Sequence, residues 1–257
     1  MFRSMPQNPL KYPLRHDPLD PFEQRFGDVF PLKPLGALPP VVSLQADTPP
    51  IFNQGSYGSC SAASGVNVVE TLWKQKTHQS VALSQFFLYE VERRIEGTLT
   101  QDSGARLRNT QQALMTVGTC EEALDPYVPQ DFLVTLTPAM IANASQYRIA
   151  RGYWAPTLLE ILNALALGWP VQVGIVVYSS FESPSVARTG QVPLPGPAEA
   201  VLGGHAMMLD GYNIPERWVD DVNSWGAQWG LGGRCHLPFG YFDNPHTFMS
   251  ARVYQLD

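Results

Sequence analysis

Only three cysteines occur in the 257 residues, at positions 60, 120 and 235, an odd and small number that excludes the dense disulfide framework of small secreted scaffolds. No apolar stretch approaches the length that spans a bilayer, and Met1-Phe2-Arg3-Ser4-Met5-Pro6 lacks the apolar run of a secretory leader, so neither a membrane span nor export is expected. Basic residues are few, 17 against 23 acidic, for a net charge of −6 without a basic run. Neither nucleic acid nor an anionic membrane is therefore an expected partner. Histidine is scarce too: His16, His78, His236 and His246 show no spacing with cysteine or carboxylate that makes a zinc site, and no metal or other cofactor is expected. What is present is an ordinary globular composition, 44% hydrophobic, long enough for one large domain or for two lobes around a cleft.

Proline is concentrated at one end. Pro6, Pro9, Pro13, Pro18, Pro21, Pro31, Pro34, Pro39 and Pro40 remove backbone donors and forbid long helices, so residues 1–40 read as an extended arm ahead of a domain over 41–257. A surface wrap or a disordered tail is favoured over a cover for a functional site.

Beyond the arm, apolar residues recur at spacings of three and four from Cys60 to Trp73 and predict a buried helix. Ser84 opens a second helix through Phe87, Leu88, Val91 and Ile95, Arg106 to Val117 form a third stopped by Gly118, and Thr157 caps a fourth ended by Gly168 and Pro170. The texture then changes: Val171–Val177 is β-branched, and Ala206–Tyr212, Arg217–Val222 and Val253–Leu256 read as strands. A helical lobe, mainly 52–150, and a sheet lobe, mainly 151–257, would enclose a cleft.

The one cysteine in a polar, glycine-bearing loop is Cys60, in Asn53-Gln54-Gly55-Ser56-Tyr57-Gly58-Ser59-Cys60-Ser61. It stands where that loop runs into the first predicted helix, and unpaired backbone N–H groups with the positive end of the helix dipole favour thiolate over thiol there. Downstream come His205 in Gly203-Gly204-His205-Ala206, 145 residues on, and Asn223 in Asn223-Ser224-Trp225-Gly226, 18 further, the order of a Cys-His-Asn hydrolase. Cys120 and Cys235 are left either as a pair or as two free thiols; the rarity of disulfides in reducing compartments favours thiols.

These segments together resemble the papain-like cysteine peptidases. The likeness runs from about Leu38 to the end of the chain and includes Leu83-Ser84-Gln85-Phe86-Phe87, Asp102-Ser103-Gly104-Ala105, Asp210-Gly211-Tyr212 and Trp229-Gly230. It implies an α+β, two-lobed fold with a helical N-terminal lobe, an antiparallel β-sheet or barrel C-terminal lobe, and the active site between them. It further implies Cys60 as nucleophile, His205 as its imidazole partner, Asn223 as the group that orients the ring, and Gln54 as an oxyanion donor beside the Cys60 amide. A depressed Cys60 pKa is expected, from the imidazolium first and the helix end second. Gly104, Ala105, Gly204, Ala206 and Trp225 fall where an extended polypeptide substrate would lie, with Trp225 also covering the His205–Asn223 bond; Trp229 reads as core.

Tyr57 and Asp102 stand where disulfide cysteines of many secreted members fall, and Ser61 replaces an aromatic. This suggests a disulfide-poor bacterial, archaeal or viral type in a cytoplasmic or virion-associated setting. The expected activity is peptide hydrolysis by a monomer. The alternatives are a catalytically silent peptide-binding or structural relative, and an acyl-transferase or isopeptidase built on the same triad.

Overall fold

A computed structural model describes residues 12–256 apart from 19, 129–131 and 134. The first eleven residues of the predicted arm, with Pro6 and Pro9, thus lie outside the described residues. Along the chain come α1 (Phe26–Val29), β1 (Val41–Ser43), α2 (Cys60–Thr77), α3 (Gln85–Glu96), α4 (Leu107–Thr116), α5 (Pro138–Ala144), β2 (Ile149–Trp154), α6 (Leu158–Ala166), β3 (Val171–Tyr178), α7 (Pro184–Thr189), β4 (Val201–Asn213), β5 (Trp218–Val222), β6 (Arg234–Pro238) and β7 (Phe248–Leu256).

The predicted helix starts are built as their sequences dictate. The Ser84 hydroxyl accepts the Phe87 N–H at 3.0 Å to open α3, and Thr157 accepts the Glu160 N–H at 3.3 Å to open α6; each satisfies a donor the first helical turn leaves orphaned. Gly97 closes α3 in the left-handed region at φ +72°, which a side chain would disfavour.

The strands form one antiparallel sheet in the order β2-β7-β3-β4-β5-β6, with β1 paired to the far end of β4. The sheet stays open, so of the two forms expected for the second lobe it is sheet and not closed barrel. Its core gathers Val171, Val173, Ile175 and Val177 of β3 with Met207 and Leu209 of β4, Ala251 and Val253 of β7, and Ile161, Leu162 and Leu165 of α6. The helical lobe has its own core, in which Val66, Val69 and Leu72 of α2 meet Leu88 and Val91 of α3 and Ala113 and Leu114 of α4. Burying such side chains contributes about 1.5–3 kcal/mol each before conformational entropy is charged against it.

The arm differs from its sequence reading. From Asp17 onward it is a structural element of the sheet lobe. Phe26 is wholly buried among Phe30, Tyr153 and Trp169, at ring separations of 4.9, 6.4 and 6.2 Å, and Leu38 belongs to the same core. The buried Glu160 carboxylate takes the Arg25 guanidinium at 2.7 and 3.1 Å and the Gly27 N–H at 2.9 Å. A Cβ at Gly27 would stand 2.8 Å from that carboxylate, so glycine is what allows the approach. Glu160→Ala strands these donors and is expected to lower unfolding stability by about 3 kcal/mol in urea, with Glu160→Gln losing less. A midpoint unchanged in both variants would remove the anchoring role.

Candidate active site

Cys60 is the first residue of α2, so the thiol stands at the helix N-terminus as the sequence predicts. Its helix is seated on the sheet by polar contacts in the first turn. The Gln172 side chain of β3 donates to the Ser61 carbonyl at 2.7 Å and to the Ser64 hydroxyl at 2.8 Å, while the Tyr254 hydroxyl of β7 donates to the same Gln172 amide. Beneath that turn the buried Glu92 carboxylate accepts the hydroxyls of Ser61 at 2.7 Å and Thr110 at 2.5 Å. The sulfur packs against Ala206, the residue after His205 on β4, which brings the loop of the helical lobe and the central strand of the sheet lobe to one place.

His205 and Asn223 meet at 2.8 Å between Nε2 and the Asn223 side-chain oxygen. That same oxygen lies 2.8 Å from the Ser224 backbone N–H. A backbone N–H can only donate, so the Asn223 atom between them must be the carbonyl oxygen, and Nε2 must carry the proton. Nδ1 is then the basic nitrogen of the neutral ring. Trp225 lies over the imidazole at 5.0 Å between ring centroids and 33° between planes, where it excludes water from the His205–Asn223 bond. Trp229 packs edge-on to Trp225 and stacks on Phe181, in keeping with its reading as core.

Gln54 is buried on the loop that leads into α2. Its amide nitrogen donates to the Tyr57 carbonyl at 2.7 Å and its oxygen accepts the Ser224 hydroxyl. The side chain is therefore oriented by two partners and keeps one of its two N–H donors beyond that bond. Tyr127 had no part in the sequence reading; its hydroxyl donates to the Gln54 carbonyl at 2.7 Å, with its ring stacked on Phe86 at 3.9 Å.

Where a disulfide was expected to be missing, hydrogen bonds tie the same segments. Asp102 accepts the Gly58 N–H at 2.9 and 3.1 Å and the Tyr89 hydroxyl at 2.6 Å, and Tyr57 packs its ring on Phe86 and Phe132. Cys120 and Cys235 are free thiols in different cores.

The arm itself occupies the cleft. Leu14 donates its N–H to the Gly204 carbonyl and Gly204 donates to the Tyr12 carbonyl, both at 3.1 Å, while Arg15 donates to the Ala105 carbonyl at 3.3 Å. The Leu14 side chain is buried against Cys60, Leu107, Ala206 and Met249. Tyr12 meets His205 and Trp225 edge-on, each at 5.9 Å. Gly104 holds φ +66°, and a Cβ there would stand 2.5 Å from the Pro13 carbonyl oxygen. Every residue expected to line a substrate groove, Gly104, Ala105, Gly204, Ala206 and Trp225, thus touches the chain's own residues 12–15. Residues 12–15 of the arm lie in the groove, where the sequence favoured a surface wrap or tail and kept a covering or regulatory segment as a further reading, because a proline-rich string carries no record of the groove it meets.

Covering the site changes its electrostatics. Burial pushes the Cys60 thiol up to about 12, against the lowering influence of the Ala206, Ser61 and Cys60 backbone N–H groups, and nearby Glu92 raises it further. Loss of water around the sulfur thus works against the depressed value that the imidazolium and the helix end are expected to give. Glu92 is itself raised to about 7, by burial first, against the hydroxyls of Thr110 and Ser61.

Among the described residues no three histidine, cysteine or acidic side chains group to hold a metal ion, and no helix is long and apolar enough to cross a membrane.

The structure thus places a thiol at a helix start and, on β4 and just after β5, a histidine bonded to an asparagine oxygen. The family described as papain family cysteine protease matches residues 43–241, and the chain belongs to that family. It is 32% identical over 225 residues to an uncharacterised peptidase C1-like protein of Acanthamoeba polyphaga mimivirus, covering 83% of this chain and 70% of that one. It is also 30% identical over 203 residues to a cathepsin B-like protein of Giardia intestinalis, covering 72% of this chain and 62% of the relative. Among solved structures it resembles xylellain, a cysteine protease from Xylella fastidiosa, with a TM-score of 0.88, 25% identity and full coverage of both chains. A Carica candamarcensis cysteine protease, 23% identical with a TM-score of 0.65 over 86% of this chain and all of that one, shares the fold.

The raised Glu92 gives a signed pH dependence. As pH rises from the ordinary carboxylate range near 4.5 toward about 7, the folded chain holds this proton more tightly than the unfolded chain, so Glu92 lowers stability across that window. Glu92→Gln is expected to gain on the order of 3 kcal/mol over the native chain at about pH 8 and little at about pH 4. Urea midpoints at the two pH values check this; an equal difference at both would contradict it.

Proposed function

We propose that this papain-family protein is a cysteine endopeptidase that hydrolyses peptide bonds through Cys60, His205, Asn223 and Gln54. The observation that carries the reading is the fixed tautomer of His205: the Ser224 N–H and Nε2 converge on one Asn223 oxygen at 2.8 Å each, which leaves Nδ1 as the basic nitrogen, next in sequence to the Ala206 that packs with Cys60. With the cleft open, Nδ1 takes the thiol proton, and the imidazolium together with the α2 N-terminus holds the thiolate. The sulfur attacks a peptide carbonyl, and His205 returns the proton to the leaving amine. Water then attacks the thioester with the same nitrogen as base, and the acid leaves. The Cys60 N–H and the second N–H of Gln54 receive the oxygen that becomes negative at each tetrahedral stage.

Residues 41–257 form the peptidase domain in this reading and residues 1–40 its covering segment. The substrate is an extended polypeptide paired to Gly204 and Ala105, with an apolar side chain in the pocket that Leu14 fills. The protein acts as a monomer. The filled cleft and the neutral thiol speak for the second reading, a silent relative in which the groove only binds chain; turnover separates the two.

A leucyl-peptide epoxide is expected to form one adduct, at Cys60, and His205→Ala to abolish it, as read by peptide mass mapping. Gln54→Ala is expected to leave the adduct and to cut kcat on peptides by about 10²–10³. Equal labelling of all three cysteines, or labelling of Cys60 indifferent to His205, would overturn the peptidase assignment.

A further inference from the structure

Behind the nucleophile lies a buried polar layer that the proposed mechanism does not use. Ser61, the residue after Cys60, gives its hydroxyl to one oxygen of Glu92 on α3 at 2.7 Å, and Thr110 of α4 gives its own to the other at 2.5 Å. Ser61, Glu92 and Thr110 are all wholly buried. Ser61 is also a position at which the sequence departs from the aromatic expected there, so the hydroxyl that makes this link is a feature of this chain.

Two observations mark Glu92 as a group that can change charge in place. No ion pair reaches it among the described residues: Arg93, its neighbour on α3, turns its guanidinium to Glu90 at 2.8 Å and to the Phe132 carbonyl at 2.7 Å. The other titrating groups packed around it are Cys60 itself and Tyr254 of β7, whose hydroxyl is engaged with Gln172. The second observation is that the Thr110 hydroxyl also lies 3.4 Å from the Arg106 carbonyl. As a carboxylate, Glu92 accepts from both hydroxyls. As the acid, it can donate to Thr110, which then turns its own O–H to Arg106, so the layer stays satisfied in either state.

The charge matters to the sulfur. Cys60 and Ser61 share the first turn of α2, so an ionised Glu92 sets a negative charge under the helix end that has to support a thiolate, in a buried layer where screening is weak. Burial lifts Glu92 to about 7, which populates both of its states around neutral pH, and its charge in turn raises Cys60.

We propose that Glu92 is a positioning residue that acts on Cys60 through Ser61: the neutral acid leaves the α2 N-terminus free to hold the thiolate, and the carboxylate opposes it. The proposal deepens the peptidase reading, on which its purpose rests. Its physical content, that the titration of Cys60 depends on a second buried proton, is read without turnover.

The test follows iodoacetamide alkylation of Cys60 by peptide mass mapping on the full chain, from about pH 5 to about pH 9. Glu92→Gln is expected to match the native rate at about pH 5 and to exceed it by about fivefold at about pH 8. Labelling of Cys120 and Cys235 should be unchanged, which checks that the fold is intact, and the cover of residues 12–15 slows both chains alike and cancels from the ratio. In Ser61→Ala the carboxylate loses a donor to its charged form, so the pH at which Ser61→Ala parts from Ser61→Ala with Glu92→Gln added is expected to move up. A ratio of Glu92→Gln to native that is the same at every pH, as a merely structural role would give, or a parting point indifferent to Ser61, would overturn the proposal. A Cys60 rate unaffected by His205→Ala would instead sink the peptidase reading, and the Glu92 comparison in the same curves would still decide this one.

Discussion

The first turn of α2 is bolted to the sheet through Gln172. Its amide holds the Ser61 carbonyl and the Ser64 hydroxyl from β3, and Gly65 lets α4 come close on the other side: a Cβ there would stand 2.5 Å from the Thr110 methyl. Because Cys60 is the residue that begins this helix, the position of the sulfur relative to β4 is set by how the helix sits on the sheet and not by loop flexibility. The rest of the site is arranged around that seat. His205 enters from β4, Asn223 follows β5, and Gln54 is braced between Tyr57 and Ser224 on the loop that delivers the helix. A groove then has to run between the two lobes, and glycine or alanine lines it wherever backbone must approach backbone.

The same seat puts the sulfur beneath residues 12–15. A thiolate at a helix N-terminus is favoured only while water and the imidazolium share its charge, and burial of Cys60, to which Leu14 contributes, works against that charge. The arm's hold on the body is lopsided. The buried ion pairs with Arg252 begin at Asp17, after the part that covers the sulfur.

Much of this was legible before any coordinates. Cys60, His205 and Asn223 carried strong signals because each combines a rare residue type with a local structural cue: a loop-to-helix junction, an apolar strand, a turn before Gly226. Ser84 and Thr157 marked helix starts because their hydroxyls have one local use. The short helices α5 and α7 were missed although Thr137-Pro138 and Ser183-Pro184 both carry a cap followed by proline at the first helical position; six or seven residues are too few to display a 3.6-residue period. Strands β1, β2 and β6 escaped as well. β2 buries only Ile149 and Tyr153, β2 and β6 mix arginine, glycine and histidine into their runs, and β1 is three residues long with no buried position. The docking of the arm was out of reach in principle, since Tyr12 and Leu14 acquire meaning only from a groove assembled by residues 58, 104, 204 and 249.

The departures from the expected disulfide pattern have a physical counterpart in the fold. Asp102 restrains the nucleophile loop by receiving the Gly58 N–H at a separation of 44 residues, a link that is reversible where a disulfide is covalent, and one that holds under reducing conditions.

The central claim is that the state of the Cys60 sulfur is set jointly by His205 and by the residues 12–15 that cover it. Ultraviolet thiolate absorbance, titrated against pH on the full chain and on Leu14→Asp, reads that state directly. The account predicts no Cys60 thiolate at neutral pH in the native chain, and in Leu14→Asp a thiolate that persists at neutral pH and vanishes when His205→Ala is added. A thiolate signal of equal size in the native and Leu14→Asp chains, or one that survives the loss of the imidazole, would contradict it.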